Sequence, residues 1–348
     1  MEKFSDAKKI VLDYFNEMES CTPEQCAEVM KKYVSDEYHF RGVYPFEEQD
    51  GAEAVADVLW TPLKKSLNHM QRRMDVFLAG FNWKSDKEEI WVLSTGNFMG
   101  LFDEDWLGIP HTRKMNCLRY AEFNRVENGK IVETTLHVDI LGFMQMAGVN
   151  PIPYQTGKFF VYPGPLMHNG LLFEDAPEAE TEKTKRLINR LCVEEPDYVD
   201  PRVDTLDYTG MTEGEIKYIK NERKFFADDM IWFGPCGIGA SYTLQRYTKQ
   251  HATPFHEGLD DYKFNGHLVR VAEGEFGGFF GWPNLTNTPV GGCLGMCGSN
   301  KPVDMRVVDV YWRRDDRLAE NWVYIDFLYW FKQQGLDLLE RTKSIINP

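Results

Sequence analysis

Apolar side chains recur at helical spacing near the start of the chain, at Ala7, Ile10, Val11, Tyr14, Phe15 and Met18, and predict an amphipathic helix. Thr22-Pro-Glu-Gln25 has the residues of an N-terminal cap and opens a second helix to about Tyr33. A short strand over 39–43 leads to a turn at Asp50-Gly51, and Val55, Val58, Leu59 and Leu63 mark a third helix with one apolar face. From Met70 the period falls to two, giving strands over 74–82, 89–95, 97–102, 111–124 and 130–140. Their connections are short, as at Glu127-Asn-Gly129, so an antiparallel meander is expected. Helices first and a curled sheet after them make an α+β domain.

The same order then returns. Helical patterning runs over 178–192 and from Thr212 to about Ala227, Met230-Ile-Trp-Phe233 echoes the short strand, and a helix near 242–251 precedes strands over 262–272, 274–280, 303–313 and 318–327. The ends of the two halves superpose without a gap: Glu133 meets Glu320, Asp139 meets Asp326, Leu141 meets Leu328 and Gly148 meets Gly335. A period of nearly two hundred residues is too long for a solenoid and reads as one domain used twice. The domains are expected at 1–150 and 180–348. Between them 151–179 holds Pro151, Pro153, Pro163 and Pro165 with little charge before Glu174, and reads as an extended arm or linker.

Each half closes on a strand whose two faces differ. Thr135, His137 and Asp139 share one side against Leu136, Val138 and Ile140; Trp322, Tyr324 and Asp326 share the corresponding side against Val323, Ile325 and Phe327. With the aliphatic side covered as well, each Asp would be desolvated, its pKa raised, and so a candidate acid or base. Their place just before a helix equally suits an N-cap.

Composition narrows the function. A hydrophobic fraction of 43% in 348 residues supplies two cores, and an aromatic fraction of 14% suits either enclosed flat ligands or packed aromatic cores. A net charge of −15 argues against nucleic acid or an anionic membrane surface as partner. No apolar run approaches a spanning helix, and seven cysteines without a signal peptide suggest free thiols in a reducing, cytoplasmic setting, where the sequon Asn284-Leu-Thr286 has no role. Cys293-x-x-x-Cys297, even with His256 and His267, lacks zinc spacing, so no metal is expected. Gly291, Gly292, Gly295 and Gly298 lack the strand and helix that would make a dinucleotide fingerprint.

The motifs resemble those of the SnoaL-like polyketide cyclases of the nuclear transport factor 2-like superfamily. In the first half the matching pieces are Asp50-Gly-Ala-Glu-Ala-Val-Ala-Asp-Val-Leu-Trp60, Gly100-Leu-Phe102, Leu107-Gly-Ile-Pro-His-Thr-Arg-Lys114 and the stretch from Asp139 to Gly148. In the second they are Phe225-Phe-Ala-Asp-Asp-Met-Ile-Trp-Phe-Gly234, Gly278-Phe-Phe-Gly-Trp-Pro283 and the stretch from Asp326 to Gly335. The second half departs at Asn284–Asn300, where a Gly-rich insertion replaces a compact loop.

The resemblance implies two tandem cone-shaped domains, each a strongly curved antiparallel sheet wrapped around its N-terminal helices and enclosing an apolar pocket. It further implies that the domains pair through the outer faces of their sheets, covering the Val138 and Ile325 sides within one chain; a homodimer is left open. The activity it implies is aldol closure or isomerisation of a small hydrophobic carbonyl compound, without metal or organic cofactor, with an Asp at the end of the last strand as acid/base. By position Asp139 and Asp326 would carry that role, with His137 and Tyr324 beside them to polarise a carbonyl or orient the carboxylate. Trp106, His111, His267, Trp282 and Trp322 would line the pocket, although His111 also reads as a solvated loop residue and His267 as a core imidazole. His137 facing Tyr324 at one position argues against two equivalent sites. One half that catalyses beside one that has become structural, and a non-catalytic binding protein, are the other readings.

Overall fold

The computed structural model describes residues 3–158, 160–193 and 198–346. In the first half the helix Ser5–Ser20 buries Val11, Tyr14, Phe15 and Met18, as its spacing predicts. The strands that follow are β1 (Val34–Gly42), β2 (Glu48–Asp50), β3 (Leu67–Phe81), β4 (Ile90–Phe102), β5 (Met115–Glu127) and β6 (Lys130–Val138). They form one sheet in the order β2-β1-β6-β5-β4-β3. The last four are the expected meander, but β1 pairs with β6 in parallel, a long-range contact that no local turn announces. Residues 90–102 make one strand where two were expected. Gly96 permits this, since a Cβ there would lie 1.9 Å from the carbonyl oxygen of Arg73 on the neighbouring strand.

The second half repeats this order with broken strands: β7 (Phe226–Phe233), β8 (Ala240–Tyr242), β9 (Leu259–Phe264), β10 (Val269–Glu273), β11 (Phe276–Phe280), β12 (Leu285–Pro289), β13 (Val303–Met305), β14 (Val307–Arg314) and β15 (Arg317–Ile325). The large sheet runs β10-β11-β14-β15-β7-β8, and β13-β12-β9 form a separate three-stranded flap. Each long strand of the first sheet is thus two strands here. Pro283, which has no N–H to give a ladder, lies in the gap between β11 and β12. Part of the expected Gly-rich loop, 285–289, is therefore a strand of the flap. Both halves also widen one helix into a π turn, at Ala56–Trp60 and Thr248–Ala252, each followed by Thr-Pro whose missing donor breaks the regular ladder.

The two large sheets pack face to face. Val76, Leu78, Leu93 and Phe123 of the first join Val308, Val310, Trp322 and Tyr324 of the second in one buried cluster. The aliphatic residues Leu136, Val138 and Val323 belong instead to the core under the helices, with Ile325 packed against it. This reverses the expectation from the alternation: the side carrying Trp322 and Tyr324 pairs the sheets, and the Val side faces the interior of each cone. Strand periodicity separates two faces but does not say which one meets the helices.

The Pro-rich segment ties the halves together along their edges. Lys158 and Ala240 of β8 exchange two backbone hydrogen bonds, and Phe77 of β3 donates to Gly170 and accepts from Leu172. Both are edge strands, so the arm covers part of one edge of each sheet.

Candidate active site

Asp139 and Asp326 occupy matching places at the junction of the sheets. Asp139 Oδ1 accepts from Gly142 N at 2.9 Å and caps the helix Ile140–Met146, while Oδ2 accepts from Cys236 N of the other half at 2.8 Å. Asp326 Oδ1 accepts from Tyr329 N at 3.1 Å and caps Phe327–Gln333, while Oδ2 accepts from Tyr44 N of the first half at 3.0 Å. Burial pushes both carboxyls up, Asp326 to about 7, against the pull of these amides. The voids beside them measure about 10 and 20 Å³, room for no more than a water.

The residues expected around them are dispersed. His137 is buried between the halves, edge-on to Trp282, with neither ring nitrogen bonded to another described residue, and burial drives its pKa down to about 3. Tyr324 lies under the Arg119 guanidinium, 4.0 Å from its ring centre. Trp322 stacks on Phe233 and donates to Pro163 O in the arm. Trp282 stacks on Arg306 and donates to Glu48 at 2.7 Å. Trp106 is core, packed on Phe46 and Phe143, and His111 bonds Asp105 on an exposed loop. None of these lines the large cavity; of the expected residues only His267 does.

That cavity, about 490 Å³, lies inside the second cone. β14 and β15 furnish its polar wall. Asp309 and Tyr311 alternate onto one face of β14, and Asn321 of β15 stands directly across from Tyr311. Tyr311 Oη and Asn321 Nδ2 both donate to Asp309 Oδ1 at 3.2 Å. Among the described residues nothing bonds Oδ2. Desolvation raises the Asp309 pKa to about 6, opposed by the two donors.

Two imidazoles line the same space. His267 lies flat on Phe279, ring centres 3.8 Å apart, and Arg270 Nε donates to its Nδ1 at 2.9 Å, which leaves Nε2 as the ring's N–H. Burial first, then Arg270, lowers its pKa to about 3. His251 stacks on Trp232 at 4.3 Å and is likewise held neutral by burial, its pKa about 3. Cys192 reaches the wall 3.9 Å from His267 Nδ1, its thiol pushed up to about 12 by burial and so unreactive. The site can therefore offer one carboxyl poised near neutrality, a neutral imidazole donor and a bed of rings. Among the described residues no group of three or more His, Cys, Asp or Glu stands together as metal ligands would, and no helix is long and apolar enough to cross a membrane.

The sequence reading passed over Asp309, Tyr311, Asn321 and His251. The signal was present in Val307-Val-Asp-Val-Tyr311, where a carboxylate interrupts an otherwise apolar strand.

No protein-family model and no curated protein matches the chain. It is similar to solved structures of SnoaL-like polyketide cyclases and nuclear transport factor 2-like proteins, each spanning about 40% of it. IdmH of Streptomyces antibioticus, a candidate polyketide cyclase, is 13% identical over 40% of this chain and 97% of its own, with a TM-score of 0.33. A candidate SnoaL-like cyclase of Jannaschia sp. CCS1 is 15% identical over 42% and 92%, with a TM-score of 0.33. TsrD of Streptomyces laurentii is 16% identical over 42% and 98%, with a TM-score of 0.32. Likeness at this level is in shape to part of the chain and carries nothing about chemistry.

Proposed function

We propose that the second cone is the working half: its cavity takes a small, largely hydrophobic carbonyl compound, and Asp309 acts on it as acid and base. The observation that carries this is the asymmetry of the Asp309 carboxyl, with Oδ1 tied to Tyr311 and Asn321 and Oδ2 left toward the cavity. A carboxylate with a pKa of about 6 is a stronger base than an ordinary Asp yet is ionised at neutral pH. Oδ2 removes a proton from the carbon beside the carbonyl, the enolate oxygen draws on the His267 Nε2–H, and the proton returns to carbon or to a new alkoxide. Isomerisation and cyclisation both follow from that one exchange, and neither requires a cofactor.

The test is deuterium exchange at the α-carbons of a ring-bearing ketone such as 2-tetralone in D2O, followed by NMR. The protein should accelerate exchange, with a rate that rises with pH through about 6, and Asp309→Asn should abolish the acceleration while leaving the fold intact. Exchange that persists in Asp309→Asn would refute the assignment. A ketone that binds without any exchange would favour a non-catalytic binding protein.

A further inference from the structure

The two halves treat the same interior volume in opposite ways. Glu122 stands opposite Leu136 in the first sheet as Asp309 stands opposite Val323 in the second, at the same distance along the chain from Asp139 and Asp326. In the first half the space in front of this carboxylate is filled by Arg72. Its guanidinium pairs with Glu122 at 2.7 Å, with both side chains buried, and lies 3.5 Å from the ring centre of Phe15, 4.7 Å from Phe98 and 4.8 Å from Tyr120. Asn124 donates to Glu122 and accepts from Thr134, occupying the ladder positions held by Tyr311 and Asn321. The first cone is thus complete with a cation seated on rings beside an acid.

The second cone keeps the acid and the rings but has lost the cation. Counted from the Thr-Pro step shared by both halves, Arg72 corresponds to Phe264, which is half exposed on the flap strand β9. The cavity is walled by rings, Trp232, Tyr247, Tyr262 and Phe279 among them, and its only charged lining groups among the described residues are Glu222 and Asp309. Among the described residues no Lys or Arg lines it, and both imidazoles are neutral. Tyr262 of the flap lines the same cavity as Asp309, and burial first, then the charge of Asp309, raises its phenol to about 12.

We propose that this cavity selects a ligand bearing a positive charge, a quaternary or protonated amine on an apolar body, which takes against Asp309 the place that Arg72 takes against Glu122. The inference rests on the reading of the cavity as the ligand site. Ring faces attract a desolvated cation, and the carboxylate supplies its counter-charge. A carboxylate or phosphate ligand would meet the Asp309 carboxylate and, among the described lining residues, no Lys or Arg. A positive charge near the reacting carbon also makes its proton easier to remove, which matches the chemistry assigned to Asp309.

The experiment uses the full chain and three matched probes: (naphthylmethyl)trimethylammonium, its uncharged carbon isostere and naphthylacetate. Dissociation constants are read from tryptophan quenching at low ionic strength. The cation should bind about tenfold or more tightly than the isostere, and naphthylacetate should not compete. Asp309→Asn should bring the cation to within about threefold of the isostere. Phe264→Arg, which restores the plug, should abolish binding of both. Equal binding of cation and isostere, both lost in Phe264→Arg, would overturn the charge selection while leaving the cavity as the site. A cation preference that survives Asp309→Asn would overturn it too. Failure of all three probes at millimolar concentration would overturn this inference together with the cavity reading.

Discussion

Replacing Asp139 or Asp326 by Ala should weaken the chain without touching its chemistry. Each carboxyl accepts one amide inside its own half and one from the other half. Loss of a side-chain N-cap costs about 1 kcal/mol. The amide of Cys236 or Tyr44, left without its acceptor in a buried place, adds about 1–3 kcal/mol. Each variant should therefore lose about 2–4 kcal/mol, and at about 2 °C per kcal/mol in a chain of this size the melting midpoint should fall by roughly 4–8 °C. Asp139→Asn keeps one acceptor oxygen, retains the cap and loses only the cross-half bond, so it should fall by about half as much; Asp326→Asn loses in addition the pairing of Oδ2 with Arg306 at 3.5 Å and should fall further than Asp139→Asn. Calorimetry gives the midpoints, and the deuterium exchange assay run on the same samples below the transition gives the activity. The reasoning is refuted if either Asn variant melts with the wild type yet loses exchange, for then the carboxyl works on substrate rather than on the junction.

Other consequences can be checked in the same way. Glu320 is buried, receives among the described residues only the Leu166 amide, and faces Trp312 where its counterpart Glu133 faces Arg125; burial raises its pKa to about 7. Its folded pKa exceeds the unfolded one, so the fold is unpenalised below about pH 4 and loses stability as pH rises toward 7. Glu320→Gln should accordingly raise the melting midpoint at pH 8 and leave it near wild type at pH 4. Arg72→Met strands Glu122 in the first cone and should cost about 3–5 kcal/mol, most of it recovered in Arg72→Met with Glu122→Gln, as read by denaturant titration. Neither the single nor the double variant should alter α-carbon exchange. Tyr311→Phe removes one donor from Asp309 Oδ1, so the apparent pKa of exchange should rise above about 6 in a pH–rate profile.

Much of the architecture was readable because local pattern and tertiary role agree. The stripe from Ala7 to Met18, the short turns of the meander and the matched endings of the two halves are all local signals, and they give the helices, the antiparallel ladder and the duplication. What failed was non-local. The pairing of β1 with β6 closes across nearly a hundred residues, and no composition marks it. The choice of which strand face meets the helices was settled by Trp322, Tyr324 and Phe123 packing against each other between the sheets. That choice removed Trp322, Tyr324 and His137 from the candidate site together. Asp309 was overlooked because a lone acid in a strand looks like a solvated residue. Only the contrast between Arg72 paired with Glu122 and Phe264 at the matching place, with no counter-ion on Asp309 among the described residues, separates a filled cone from an open one.

The junction built by Asp139 with Cys236 and Asp326 with Tyr44 is nearly twofold, and its place within a single chain changes what substitution can do. Two identical subunits meeting in this way would carry every mutation on both sides of the axis at once, so a change useful on one side must be tolerable on the other. Covalent joining through the arm between the halves releases the interface from that requirement. It also fixes the local concentration of one half around the other independently of expression level. His137 on one side and Tyr324 on the other are the mark of that freedom. A half relieved of self-complementarity can keep Arg72 in its centre and serve as scaffold, and its twin can discard the same residue and become a vessel.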